Sequence, residues 1–86
     1  MKVQGKVIVV TGAGSGMGRQ LTIELVGRGA KVAAIDLREE SLLETKTLAG
    51  GSVETFVLDI TDAAAVAELP QKIEAALGSV DGLLNN

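Results

Sequence analysis

The sequence predicts an α/β fold, a doubly wound parallel sheet built in the order βαβαβαβ. Three observations predict it. Four short apolar runs alternate with three segments of helical periodicity. A glycine cluster from Gly12 to Gly18 joins the first run to the first helix. Both the second and the third run end in an aspartate, Asp36 and Asp59. Strands joined by helices run parallel with right-handed crossovers. The doubly wound order then places the strands 3-2-1-4, with the first two helices on one face and the third on the other.

Val7-Ile8-Val9-Val10 is β-branched throughout and fully apolar, as suits a strand buried on both faces. After the glycines, Met17, Leu21 and Leu25 recur every four residues, and Ile23, Val26 and Ala30 widen the stripe into a helix of about four turns. Gly29 stands where a C-terminal cap belongs. Lys31 to Ile35 is the second strand, closed by Asp36. Glu39 to Ala49 forms the second helix, with Glu39 and Glu40 at its positive end and Gly50-Gly51 stopping it. Ser52 to Leu58 is the third strand. Thr61 or Asp62 caps a third helix whose inward stripe is Val66, Leu69, Ile73 and Leu77. Pro70 lies inside that stripe, removes a backbone donor and crowds the carbonyl of Val66, so a kink or short break is expected there. Gly78 ends the helix, and Val80 to Leu84 is the fourth strand.

With 86 residues the chain can bury about 63% of its unfolded surface, enough for one small core. It is one domain or part of one, with no repeat, linker or low-complexity stretch. No apolar run approaches the length of a membrane span. Only four apolar residues follow the charged start, too few for a secretory signal, so a cytoplasmic location is expected. Cysteine and histidine are both absent, which removes disulfides, thiolate chemistry and the commonest metal ligand and general base. A net charge of −3 with scattered basic residues argues against a nucleic-acid surface.

The glycines carry the chemistry. A strand turning straight into a helix presents free N–H groups and a positive dipole end, which suits a pyrophosphate. Gly12 permits the tight turn, Gly16 lets phosphate approach the backbone, and Gly18 lets the helix pack closely. A plain glycine turn is the blander alternative; the amphipathic helix directly after a buried strand favours nucleotide binding. The spacing departs from G-x-G-x-x-G and fits T-G-x-x-x-G-x-G over Thr11 to Gly18. Asp36 falls eighteen residues after Gly18, near where an acidic group bonds the adenosine ribose hydroxyls of NAD. The alternative is a helix cap before Leu37. Arg38 can accept a phosphate or be a solvated charge, but no basic residue lies within the glycine loop, so NAD is favoured over NADP.

Thr11 to Gly18, Asp36, Asp59-Ile60-Thr61 and Leu84-Asn85-Asn86 together resemble the classical short-chain dehydrogenase/reductase family over the whole chain. The resemblance implies a Rossmann-type sheet and a cofactor site of Gly12, Gly14, Ser15, Gly16, Met17, Gly18, Asp36, Leu37, Asp59, Ile60 and Asn86. Leu37 would line the adenine site, and Asp59 would contact the adenine amino group with Ile60 beside it. A cap on the third helix explains Asp59 equally well. Asn85 and Asn86 match the start of the family's N-N-A-G motif, where the first Asn bonds the central strands and the following backbone borders the cofactor. Taken alone, the pair also reads as a polar strand end. Thr11 would bond across to that motif.

In this family a Ser and a Tyr-x-x-x-Lys carry hydride transfer, well beyond the fourth strand. This chain has no Tyr, and Ser15, Ser41, Ser52 and Ser79 fall in the loop, a helix or turns. No catalytic residue and no metal ligand is therefore assigned. The expectation is that residues 1–86 form the N-terminal portion of an NAD-binding domain. Its parent would move a hydride between NAD(H) and an alcohol or ketone, as a homo-oligomer without nucleic-acid or membrane partners. A non-catalytic dinucleotide sensor is the alternative, since the same half-site serves both.

Overall fold

The computed structural model describes residues 2–86. Seven elements follow in the expected order: β1 (Val7–Thr11), α1 (Gly16–Gly27), β2 (Lys31–Asp36), α2 (Glu39–Ala49), β3 (Val53–Val57), α3 (Ala63–Leu77) and β4 (Gly82–Leu84). The strands form one sheet in the order β3-β2-β1-β4, and every pairing is parallel. Strand alternation sorts the core onto two faces. Ile8, Val10, Val32 and Ala34 pack with Leu25, Val26 and Leu42 under α1 and α2. Val7, Val9, Ala33 and Ile35 pack with Leu69, Ile73 and Leu77 of α3 on the other. Both faces of β1 are covered, which is why its five residues are all buried.

Helix α1 is shorter than its periodicity suggests and turns differently. It stops at Gly27, because Gly29 takes a left-handed φ of 89°. The Gly29 N–H bonds the Val26 carbonyl at 2.9 Å, and the Ala30 N–H bonds that of Leu25 at 3.0 Å. This is a Schellman ending. Ala30 is thus not a helical residue but a buried one leading into β2. The wholly enclosed face of α1 is Gly18 and Thr22, with Leu25 and Val26 half-buried behind it, while Met17 is 68% exposed. The small residues face inward because α1 sits tight against the loop that precedes it.

The expected break at Pro70 does not occur; α3 runs unbroken from Ala63 to Leu77. Pro70 is exposed, so water can take the carbonyl that loses its donor. Asp62, not Thr61, caps this helix, accepting from the Ala65 N–H at 3.2 Å. Within its stripe Ile73 is buried, Leu69 and Leu77 are half-buried, and Val66 is exposed.

Strand β4 is also shorter than expected. Asp81 donates its N–H to the Val7 carbonyl and accepts the Val7 N–H on Oδ2, both at 2.8 Å. A side chain thereby replaces the next rung, and the ladder begins at Gly82. Strand β3 is shorter by one residue at each end, although Ser52 and Leu58 still bond β2 through their backbones.

Candidate functional site

All the sequence-predicted residues gather at the carboxyl ends of the strands. Strand β1 is where the winding reverses: the α1 and α2 connections lead one way and α3 returns to the other side. A ligand crevice belongs at such a point.

The loop from β1 to α1 is built on glycine for identifiable reasons. Gly12 has a φ of 66° and Gly16 one of 53°. A Cβ on Gly18 would lie 2.0 Å from the Gly12 carbonyl oxygen, so helix and turn meet backbone to backbone. A Cβ on Gly14 would lie 2.8 Å from both Asp36 Oδ2 and Ser41 Cβ. Above Gly16, by contrast, a Cβ would meet nothing within 4 Å. Ser15 is the extended N-cap residue and its side chain makes no cap bond. Among the described residues, none accepts from the N–H groups of Ser15, Gly16, Met17 and Gly18. The unpaired donors of the exposed Ser15, Gly16 and Met17 and the positive end of α1 therefore face open space, whereas Gly18, equally unpaired, is buried against the turn.

Asp36 is fixed on this loop. Its Oδ2 accepts the Gly14 N–H at 2.9 Å and its Oδ1 accepts the Leu37 N–H at 2.7 Å. It is half-buried and lines a cavity of about 140 Å³ with Gly12, Leu37, Leu58, Ile60 and Asn86. Leu37 and Ile60 are 62% and 59% exposed there, apolar surface without a covering partner. Arg38 is exposed at the N-cap of α2 and makes no cap bond.

Asp59 stands beside this cavity in sequence but does not line it. Its Oδ1 accepts the Thr61 hydroxyl at 2.6 Å and the Thr61 N–H at 2.9 Å. These two bonds, the hydroxyl's first, hold the carboxyl below its ordinary value. The cap alternative for Asp59 fails, because Asp62 fills that role. On the far side, Thr11 Oγ1 donates to Asn85 Oδ1 and accepts the Asn86 N–H, both at 3.0 Å. The expected bond across from Thr11 is present, and it ties the end of β1 to the residues after β4.

Two residues were missed by sequence reasoning. Arg19 lies under the loop, its side chain only 20% exposed. It bonds Thr45 Oγ1, the Glu44 carboxylate and the carbonyls of Gly14 and Ser41. Thr45, wholly buried on α2, bonds the carbonyl of Ala13. The available signal was a threonine on the inward stripe Leu42-Thr45-Ala49, since a buried hydroxyl needs partners.

Comparison with known proteins decides what this crevice belongs to. The family model described as short chain dehydrogenase matches residues 6–86. The chain belongs to the short-chain dehydrogenase family. It is 36% identical to the 3-oxoacyl-[acyl-carrier-protein] reductase FabG of Thermotoga maritima, over all of this chain and 36% of that protein. The citronellol catabolism dehydrogenase of Pseudomonas aeruginosa PAO1 superposes with a TM-score of 0.94 at 38% identity, over 99% of this chain and 37% of that one. A metagenomic short-chain oxidoreductase in complex with NADP matches at 0.86 and 31% identity, over 96% and 39%. An oxidoreductase of Haemophilus influenza with bound NAD matches at 0.87 and 25%, over 95% and 30%. Short-chain dehydrogenases bind nicotinamide dinucleotides, and these neighbours include both kinds. The chain spans about a third of the length of the curated relatives it matches. No helix among the described residues is long and apolar enough to cross a membrane.

Proposed function

We propose that this short-chain dehydrogenase chain, residues 1–86, is the N-terminal portion of an NAD-binding domain. The whole oxidoreductase would move a hydride between NAD(H) and an alcohol or ketone carbon. One observation carries this: a carboxylate and an uncapped helix N-terminus are fixed on the same glycine loop at the winding reversal. NAD, when bound, supplies the hydride acceptor. A cytoplasmic location and a homo-oligomeric state are part of the proposal and rest on the family alone.

The residues fit such a cofactor. The open space above Gly16, where a side chain would otherwise intrude, leaves the N–H groups of the exposed Ser15, Gly16 and Met17 free to hold a pyrophosphate. Each oxygen of Asp36 accepts one N–H bond and keeps a lone pair for a ribose hydroxyl. Leu37 and Ile60 would sandwich the adenine and exclude water from it. Both Thr61 bonds go to Asp59 Oδ1, so Oδ2 stays free; Asp59 lies outside the cavity lining and would meet an adenine amino group only where the base projects beyond it. Gly12 and the backbone of Asn86 would border the ribose side.

Asp36 also favours NAD over NADP. A ribose 2′-phosphate 4 Å from the carboxylate would be repelled by about 4 kcal/mol at an effective dielectric of 20, and half of that is a preference of about thirtyfold. Calorimetry with ADP-ribose and its 2′-phosphate derivative tests this. The chain should bind ADP-ribose at least tenfold more tightly, and Asp36→Asn should narrow the gap. Tighter binding of the 2′-phosphate compound would make Arg38 the phosphate ligand and overturn the choice of NAD.

A further inference from the structure

We propose that Arg19 and Thr45 are positioning residues that hold the glycine loop in its anion-binding orientation, by taking the carbonyls of Gly14 and Ala13 from below. The inference rests on the nucleotide-binding role proposed above. It concerns two residues that touch no part of the cofactor.

A continuous chain of bonds runs beneath the loop. Thr45 Oγ1 donates to the Ala13 carbonyl at 2.8 Å, and the same oxygen accepts Arg19 Nε–H at 2.9 Å. Arg19 Nη2 donates to the carbonyls of Gly14 at 2.5 Å and Ser41 at 3.2 Å. Arg19 Nη1 bonds Glu44 Oε1 at 2.6 Å. The carboxylate neutralises the guanidinium, and Nε and both Nη atoms are engaged below the loop. Arg19 is therefore spent on orientation rather than on a phosphate.

What this does follows from peptide geometry. In a trans peptide the C=O and the next N–H point in opposite directions. Every peptide here is trans. Drawing the Gly14 carbonyl down toward α2 turns the Ser15 N–H outward, to the side where the exposed Gly16 and Met17 also present free donors. Drawing the Ala13 carbonyl down turns the Gly14 N–H to Asp36, where it is found bonded at 2.9 Å. Released, either peptide can flip and put a carbonyl oxygen where the pyrophosphate would lie. Glycine at position 14 makes such a flip easy, so the loop needs an outside hold. The two residues thus orient the phosphate donors, while Asp36 keeps its bond from the Leu37 N–H at 2.7 Å independently of them.

The test separates orientation from general stability. ADP-ribose and adenosine are titrated by calorimetry into the 86-residue chain and into Arg19→Met and Thr45→Val. Both substitutions keep most of the side-chain volume and remove the bonds. ADP-ribose affinity should fall about tenfold, the worth of one or two poorly aimed hydrogen bonds, with adenosine within about twofold. Thr45→Ser, which keeps the hydroxyl, should recover the ADP-ribose affinity. In the ligand-free chain, amide exchange at Gly14 should quicken in both variants while that of β1 holds. An equal loss for both ligands, an unchanged ADP-ribose affinity, or unaltered exchange at Gly14 would overturn the inference. If the unsubstituted chain binds ADP-ribose while the variants match it, only the positioning role fails; if it binds neither ligand, the nucleotide-binding proposal fails with it.

Discussion

Two glycine-to-alanine changes in one helix should move stability in opposite directions. Gly18 and Gly27 both belong to α1. In a helix interior, alanine is worth up to about 1 kcal/mol over glycine. Gly27 is exposed, and a Cβ there meets nothing within 4 Å. Gly27→Ala should therefore stabilise by up to about 1 kcal/mol. At Gly18 the new Cβ would sit 2.0 Å from the Gly12 oxygen and 2.6 Å from its carbon. Cβ contacts below 3.0 Å essentially never occur, so α1 and the turn must separate by at least the missing 1.0 Å (3.0 less 2.0). Both partners are backbone, and neither can swing aside as a side chain would. Overpacking of this kind costs about 3 kcal/mol at the upper end of its usual range, leaving a net loss of about 2 kcal/mol after the propensity gain. The chain has neither Trp nor Tyr, so unfolding in urea is best followed by far-UV circular dichroism. With a slope near 1 kcal/mol per molar urea, the two midpoints should lie about 3 M apart. A Gly18→Ala chain as stable as Gly27→Ala would refute the close backbone approach that defines the loop.

Further tests follow from single contacts. Asp62→Ala removes the only side-chain cap on α3 among the described residues and should cost about 1 kcal/mol in the same urea assay. Asp59 should titrate below an ordinary carboxylate because the Thr61 hydroxyl and N–H bond its charged form, and Thr61→Ala should move it back up by NMR titration. A lowered value in the fold means that its stabilising effect is present above the unfolded value and disappears as pH falls through the folded one. The 86-residue chain should give no nicotinamide reduction or oxidation across a panel of alcohols and ketones, because it has no Tyr for proton transfer; reproducible turnover by pure chain would contradict this.

What was legible in the sequence was mostly backbone. The Val7–Val10 run needed both faces covered, and the two core clusters cover them. Glycines at 12, 16 and 29 stood where φ is positive, and the aspartate at 36 stood at the loop's edge. Periodicity misled where packing set the orientation. Met17 belongs to an apolar stripe on a helical wheel, yet the tight contact at Gly18 rotates α1 so that Gly18 and Thr22 face in and Met17 faces out. Pro70 reads as a kink or short break from sequence alone, because the exposure that relieves its local cost is set by packing. Arg19 was invisible because its partners lie on α2 and in the loop before α1, and only the packing of α1 against α2 brings them together.

The site's charge leads to one more expectation. The carboxyl ends of the strands carry Asp36, Asp59 and Asp62, and α2 begins with Glu39 and Glu40. Among the described residues, the cations nearby are Arg19, paired with Glu44, the exposed Arg38, and Lys72, which pairs with Glu68 and lines a cavity with Glu39 and Leu58. Lys6 and Lys31 lie at the opposite ends of β1 and β2, and Lys46 lies in the last turn of α2. Five strand residues span about 17 Å, roughly twice the screening length of 8 Å at physiological salt. The distant lysines are thus screened from the loop, and the acidic end dominates the field there. A pyrophosphate must be held by short N–H bonds and the helix end against a repulsive background. Salt weakens that background more than it weakens the bonds. ADP-ribose binding should therefore hold steady or tighten as salt rises from about 10 mM to 150 mM, the range over which the screening length falls from 30 to 8 Å. A site that grips phosphate with Lys or Arg loses affinity over the same range. A steep loss here would mean that Arg19 leaves Glu44 to reach the phosphate, or that Arg38 folds over it. In either case charge, not oriented backbone, would hold the ligand.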